Sequence, residues 1–273
     1  MNRLSHTDRV HVLSCLLDGV SMRATSRVTG VSFCAVRDLL IRAGEVAADY
    51  HDEHVRKIKA RYVQADEIWA YIYAKSGKVL KMENPPEDAG SIWTWTAMDA
   101  ETKLMIAYLV GSRSMADAQA FMLDLAKRVA GRVQLTTDGY SAYVDAVNWA
   151  FGRGIDFAQD KGFGVTEVIS GDPDPEHIST SLIERQNLTM RMNMRRFTRS
   201  TNAFSKKAVR HAAMVHLHFL NYNWARIHQS LRMTPAMAAG LTKTLHDVGW
   251  IAKLIEDSMP LPGPRGPYKK RGS

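Results

Sequence analysis

Three carboxylates in this 273-residue chain, Asp66, Asp138 and Glu184, stand where chemistry can be argued from residue type and position. Asp66 lies inside a β-rich run, Val63 to Tyr73, where an acid is costly to bury unless it is paired or metal-bound. Asp138 closes a short apolar run and precedes Gly139. Glu184 falls in Ser181-Leu182-Ile183-Glu184-Arg185-Gln186-Asn187. Singly, each has an ordinary reading: a paired strand acid, an Asp-Gly turn, a polar helix face. Together, two acids on neighbouring strands and a third on a helix laid across their edge would repel one another unless a hard divalent cation neutralised them. Mg²⁺ (or Mn²⁺), with two ions expected, takes oxygen ligands and keeps positions for water and phosphate oxygens, which suits phosphodiester chemistry. Glu67 is the rival of Asp66. Neighbours on a strand face opposite sides, so only one of the two is expected in the site.

The helix around Glu184 adds a second argument. Glu184, Asn187, Arg191 and Arg195 recur at helical spacing on one face, with Arg196 next in the chain. A carboxylate followed by an amide and guanidinium groups suits a phosphodiester strand running past a metal site; a plain polar stripe is the alternative. Charge favours the first reading. Lys and Arg number 36 against 28 Asp and Glu, and residues 185–246 hold eleven basic side chains and no acid. Such a stretch points to a polyanion partner, such as double-stranded DNA, with a solvated basic helix face as the alternative.

Positioning elements are legible around these residues. Ile92–Met98 and Leu104–Val110 read as strands after the first, joined through Asp99–Lys103. Ala116–Val129 reads as an amphipathic helix leading to a strand at Val133–Thr136. A helix from about Ser141 to Phe151 follows, then strands near Ile155–Phe157 and Thr166–Ile169, and helices at about 179–196, 205–226 and 234–256. Three leading strands with short connections are expected to be antiparallel, and the fourth is reached by a helical crossover that can set it beside the first. The class is α/β, a mixed sheet with helices on its faces.

Ahead of this, residues 5–44 read as three short helices capped by Ser5 or Thr7, Ser21 and Ser32, with Gly30 in the turn and Gly44 as the stop. That is a helix-turn-helix pattern, in which Ser32, Ala35, Arg37, Asp38 and Arg42 would face a groove or backbone of DNA; a purely structural triplet is the alternative. The division expected is a DNA-binding domain at 1–45, a polar linker at 46–61, a catalytic domain at 62–245, and a C-terminal helix with a flexible basic tail at 246–273.

Other chemistries find little support. Two cysteines, Cys15 and Cys34, make neither a disulfide framework nor a four-cysteine zinc site, so a reducing, cytoplasmic setting is the default. No apolar run reaches the roughly 18 residues of a membrane span, and no signal-peptide stretch opens the chain. No GxxxxGK[ST] loop occurs, so a nucleotide cofactor is not expected. Trp69, Trp93 and Trp95 read as core or sheet-face residues. His211, His216 and His218 read as packing positions, and Tyr222, Asn223, Arg226 and His228 as closing a helix on the sheet, with DNA contact as the alternative. His177, seven residues before Glu184, is a weaker candidate to approach a phosphate.

The stretches Ala65-Asp66-Glu67-Ile68-Trp69, Thr136-Thr137-Asp138-Gly139-Tyr140 and Ile183-Glu184-Arg185-Gln186-Asn187-Leu188-Thr189-Met190-Arg191, with Asn221–Leu231 and Thr234–Leu241 behind them, resemble the DDE transposases of bacterial insertion sequences, nearest the insertion-sequence-one type. The resemblance spans roughly 62–242. It implies a mixed five-stranded, ribonuclease H-like sheet flanked by helices, with Asp66, Asp138 and Glu184 as the catalytic, metal-holding triad. It also implies Asn187 and Arg191 as supporting residues, cleavage at element ends followed by strand transfer, and a homo-oligomer of at least two chains. The cysteine-rich zinc module common in such proteins has no counterpart here. A nuclease or resolvase of the same fold, or a non-enzymatic helix-turn-helix regulator, are the competing readings.

Overall fold

The computed structural model describes residues 3–198 and 201–260. It opens with α1 (His6–Leu17), α2 (Met22–Thr29) and α3 (Phe33–His54). Ser5 caps α1 in a reciprocal box with Asp8, while Ser21 and Ser32 cap α2 and α3. Gly30 ends α2 at φ 72°, the left-handed conformation that glycine adopts without strain. Gly44, expected as the stop of the third helix, is not one. The helix runs on through it to His54 and takes up half of the stretch expected as a linker. The glycine is a packing device: a Cβ there would lie 2.4 Å from Cα of Ala213, so its bareness lets two helices touch.

The sheet holds β1 (Tyr62–Ile72), β2 (Gly90–Asp99), β3 (Met105–Gly111), β4 (Val133–Asp138), β5 (Ile155–Asp160) and β6 (Thr166–Ser170) in the order β3-β2-β1-β4-β5-β6. The leading three pair antiparallel, and β4 lies parallel to β1 and β5. The sheet has six strands rather than five, because the turn after β5 folds straight back. Lys161 N–H bonds Val165 O at 2.8 Å, between Gly162 and Gly164 at positive φ, and β6 pairs antiparallel as an edge strand.

The helices are α4 (Ser76–Val79), α5 (Met115–Arg128), α6 (Ala142–Phe151), α7 (Ser181–Asn193), α8 (Ala208–Trp224), α9 (Pro235–Ala238) and α10 (Val248–Asp257). The helix expected at 234–256 is therefore two, broken at Gly240 (φ 73°) and restarted by Asp247, whose side chain caps Trp250 N–H at 2.8 Å. α5 and α6 cover one face of the sheet, where Trp95 meets Phe121 and Tyr143. α7 and α8 cover the other, and α3 packs on α8. Asn223 pairs both atoms of its amide with the backbone of Met105 at 3.0 Å, satisfying part of the outer edge of β3. Its reading as a packing residue holds, as does that of the buried His211 and His218. The N-terminal helices share one apolar core with the sheet, and Arg9 pairs with Glu256 of α10 at 2.6 Å. No helix among the described residues is long and apolar enough to cross a membrane. The tail from 261 onward lies outside the described residues.

Candidate metal centre and its surroundings

The site is made by a strand that stops early. β4 pairs with β1 from Tyr62↔Gln134 to Ala65↔Thr137 and ends at Asp138, leaving that edge of β1 without a strand partner from Asp66 until Ile72 bridges Ser205. Asp66 bends toward the edge, its Oδ1 accepting the N–H of Glu67 at 2.8 Å. Asp138 accepts the N–H of Tyr140 at 3.1 Å, and Gln159 of β5 holds the turn by donating to the carbonyls of Asp138 (2.9 Å) and Tyr140 (3.2 Å).

α7 is laid across this edge by two side chains of one strand face. Gln64 Oε1 accepts the N–H groups of Leu182 (2.9 Å) and Ile183 (3.1 Å), capping the helix start. Two residues on, and so on the same face, Asp66 Oδ2 accepts from Asn187 Nδ2 at 2.7 Å. Glu184 stands at the exposed end of the helix, its Oε1 accepting from Thr180 Oγ1 at 2.8 Å.

Carboxylate oxygens of Asp66, Glu67 and Asp138 lie within 4.8 Å of one another. The expectation that only one of Asp66 and Glu67 can join the site therefore fails. They leave opposite faces of β1, but where β4 has ended both can bend round the open edge. Glu67 is buried. Its Oε2 accepts from Tyr143 of α6 at 2.8 Å, and its Oε1 takes Nε (2.7 Å) and Nη2 (2.5 Å) of Arg113, from the loop after β3. Glu184 does not join a trio of this closeness among the described residues, yet its charge is felt by both aspartates.

Burial pushes the Asp66 carboxyl up to about 6, with the charges of Asp138 and Glu184 adding to it. Burial likewise carries Glu67 to about 7 and raises Asp138. Gathered acids held this way are unfavourable when ionised without a cation. The donor set fits one: hard carboxylate oxygens from two strands, and beside them the buried Oδ1 of Asn187, which has no hydrogen-bond partner. Oxygen donors of this kind suit Mg²⁺ or Mn²⁺.

The basic candidates are dispersed. Arg191 is half-buried on α7, but the helix ends at Asn193, so Arg195 lies beyond it in a 3₁₀ turn (Arg195–Phe197) and is exposed. Arg191 and Arg195 line a cleft of about 960 Å³ with Gly19 and Ser21 of the turn between α1 and α2 and with Ala24 of α2. Arg196 is turned inward, its Nη1 donating to Arg210 O at 2.7 Å, and burial lowers its pKa to about 10. Arg37 pairs with Asp38 at 2.7 Å, and Arg42 with Glu45 and the carbonyl of Ser258. His177 stacks on Tyr62 with ring centres 3.9 Å apart and bonds Asp174 through Nδ1 at 2.8 Å. Gln64, Arg113 and Tyr143 escape the sequence reading, since nothing in a lone glutamine, arginine or tyrosine marks it as a partner of an acid. Only the position of Gln64, two before Asp66, is a signal.

No protein-family model matches this chain, and no curated protein does. Among solved structures it is similar to the Mos1 strand transfer complex (12% identity, TM-score 0.27, 79% of this chain and 78% of that one). It is also similar to a pre-cleavage Mos1 transpososome (11%, 0.27, 81% and 79%) and to a mariner Mos1 paired-end complex with Mg (11%, 0.23, 80% and 78%). At such scores the likeness carries no weight beside the site's own geometry.

Proposed function

We propose that the chain is a DNA transposase of the insertion-sequence kind, which binds element ends, cleaves a DNA strand in a metal-dependent reaction and joins the released 3′-hydroxyl to target DNA. One observation carries the reading. Asp66 and Asp138, 72 residues apart in the chain, meet at the end of β4, with the helix bearing Glu184 tied to the same spot through Asn187. The motifs around the three acids support the transposase over other enzymes of metal-dependent phosphodiester chemistry.

Asp66, Asp138 and Glu184 would hold one or two Mg²⁺ or Mn²⁺ ions, which when bound supply activation of a water and stabilisation of a leaving 3′-oxygen. The chain's own groups set the stage for this. Asn187 orients the Asp66 carboxylate, Gln64 fixes the start of α7, and Gln159 holds the turn that presents Asp138. Arg191 and Arg195, in the cleft facing the N-terminal helices, are placed to track a DNA backbone, with Arg37 on α3 further out. Asn187 and the inward-turned Arg196 bond inside the fold, to Asp66 and the carbonyl of Arg210, so a part for those two in DNA binding would be indirect; Arg37 and Arg42 each pair with a surface acid, Asp38 and Glu45. An assembly of at least two chains follows from the need to cut two ends together.

The test is Asp138→Asn, assayed with Mn²⁺ on plasmid DNA and on short duplexes with supplied 3′-hydroxyl ends. Loss of nicking and joining with DNA binding kept supports the proposal. Nicking without joining by the wild type would make it a nuclease or resolvase, and unchanged turnover in the variant would remove Asp138 from the site.

A further inference from the structure

Arg113 has an arrangement that pairing alone does not explain. Its partner Glu67 has a side chain 1% exposed, yet Arg113 itself is 37% exposed. The guanidinium is flanked by two aromatic rings: its carbon lies 3.9 Å from the ring centre of Tyr140 and 4.8 Å from that of Trp93. Tyr140 also donates its hydroxyl to the carbonyl of Arg113 at 3.1 Å, while its own N–H holds the Asp138 carboxylate. One residue therefore fixes both the arginine and a metal-site acid. Tyr143 takes the second oxygen of Glu67, so the anchoring carboxylate cannot swing away.

A guanidinium has five N–H donors. Nε and one donor of Nη2 are committed to Glu67, and no acceptor among the described residues takes those of Nη1. We propose that Arg113 is a DNA-phosphate contact: Glu67, Tyr140 and Trp93 hold its guanidinium rigid beside the metal-site carboxylates, with its free edge open to a phosphate of the bound strand. This rests on the function proposed above and adds a residue that lies outside the acidic motifs. The physical case is preorganisation. A buried ion pair adds little net stability, but an arginine already stripped of side-chain freedom loses little more when it binds a phosphate. Its charge also offsets the crowding of carboxylates where a polyanion must approach. Glu67 is then the arginine's anchor, which distinguishes it from Asp66 although both point to the same edge.

The experiment measures binding of a fluorescent 40-base-pair mixed-sequence duplex by the full chain across a range of KCl, with Ca²⁺ present. The wild type is compared with Arg113→Gln and Arg113→Lys, and folding is checked by thermal melting. Loss of one phosphate contact makes the slope of log affinity against log salt shallower by about 0.9 in Arg113→Gln, while Arg113→Lys keeps the charge and the slope. Phenylglyoxal labelling of the wild-type chain, read by mass spectrometry, needs no variant: Arg113 should react in the free protein and be protected by saturating duplex. An unchanged slope in folded Arg113→Gln, or an Arg113 that DNA does not protect, overturns the assignment. A wild type that binds and nicks DNA while either result holds loses this contact alone; a wild type that binds no DNA loses the functional reading with it.

Discussion

Asn187 on α7 and Asp66 on β1, 121 residues apart in sequence, are joined by a 2.7 Å hydrogen bond from the amide nitrogen to the carboxylate, and the amide oxygen is buried without a partner. The bond sets the rotamer of the acid and the seat of the helix that carries Glu184. Asn187→Ala removes both amide atoms while leaving the helix its propensity. Metal-supported cleavage is expected to fall about 10- to 100-fold, the usual cost of losing a group that orients a ligand. Mn²⁺ titration of the variant checks it, and wild-type Mn²⁺ affinity would disprove the role.

Gln64 caps α7 through an acceptor alone, since the same oxygen takes two helix N–H groups. Gln64→Leu should lower stability by about 1 kcal/mol, as loss of a helix cap does. Gln64→Glu keeps the acceptor and sets a negative charge at the positive end of the helix dipole. Urea unfolding should therefore rank the glutamate variant above the leucine one, and the reverse order would mean that the cap contributes nothing.

Gly44 touches Ala213 closely enough that a Cβ would fall 2.5 Å from the methyl of its neighbour. Gly44→Ala must push α3 off α8, at a cost of about 1–3 kcal/mol from overpacking, despite alanine's better helix propensity. A melting temperature equal to or above wild type would show that the two helices do not need this contact.

Acid should affect the metal-free fold in two opposing ways. Asp66 (about 6) and Glu67 (about 7) have folded values raised above their usual ones, so the native state holds more protons than the unfolded chain between about pH 4 and 7. Their contribution is then most favourable at low pH and is lost as pH rises through that window. His51, His211 and His218 are pushed by burial to about 3, which costs stability as pH falls below their ordinary 6.5. Asp66→Asn isolates the first effect: its melting advantage over wild type should grow from pH 4.5 to pH 7.5 without divalent cations. A pH-independent gap would rule out the raised value.

Much of the frame was readable from residue order. Ser5, Ser21, Ser32 and Gly30 state where the first helices begin and turn, through local hydrogen bonds and φ preferences. The antiparallel leading strands and the helical crossover to β4 follow from connection length, and that suffices to set Asp66 near Asp138. Gly44 misled because a glycine that ends a helix and one that admits a neighbouring helix look alike in one dimension. Arg195 fits the helical spacing of Glu184, Asn187 and Arg191, yet α7 ends two residues before it, so spacing alone does not keep it on that face.

Residue types and local spacing thus determined the elements, their caps and two of the acids, because those depend on neighbours in the chain. Folding in three dimensions decided what surrounds them. Where β4 stops sets how far the edge of β1 lies open, and so allows Glu67 to join Asp66 from the opposite face. The partners Arg113, Tyr143 and Gln64 come from distant segments, and contacts between such segments depend on how helices and sheet pack, which no local pattern encodes.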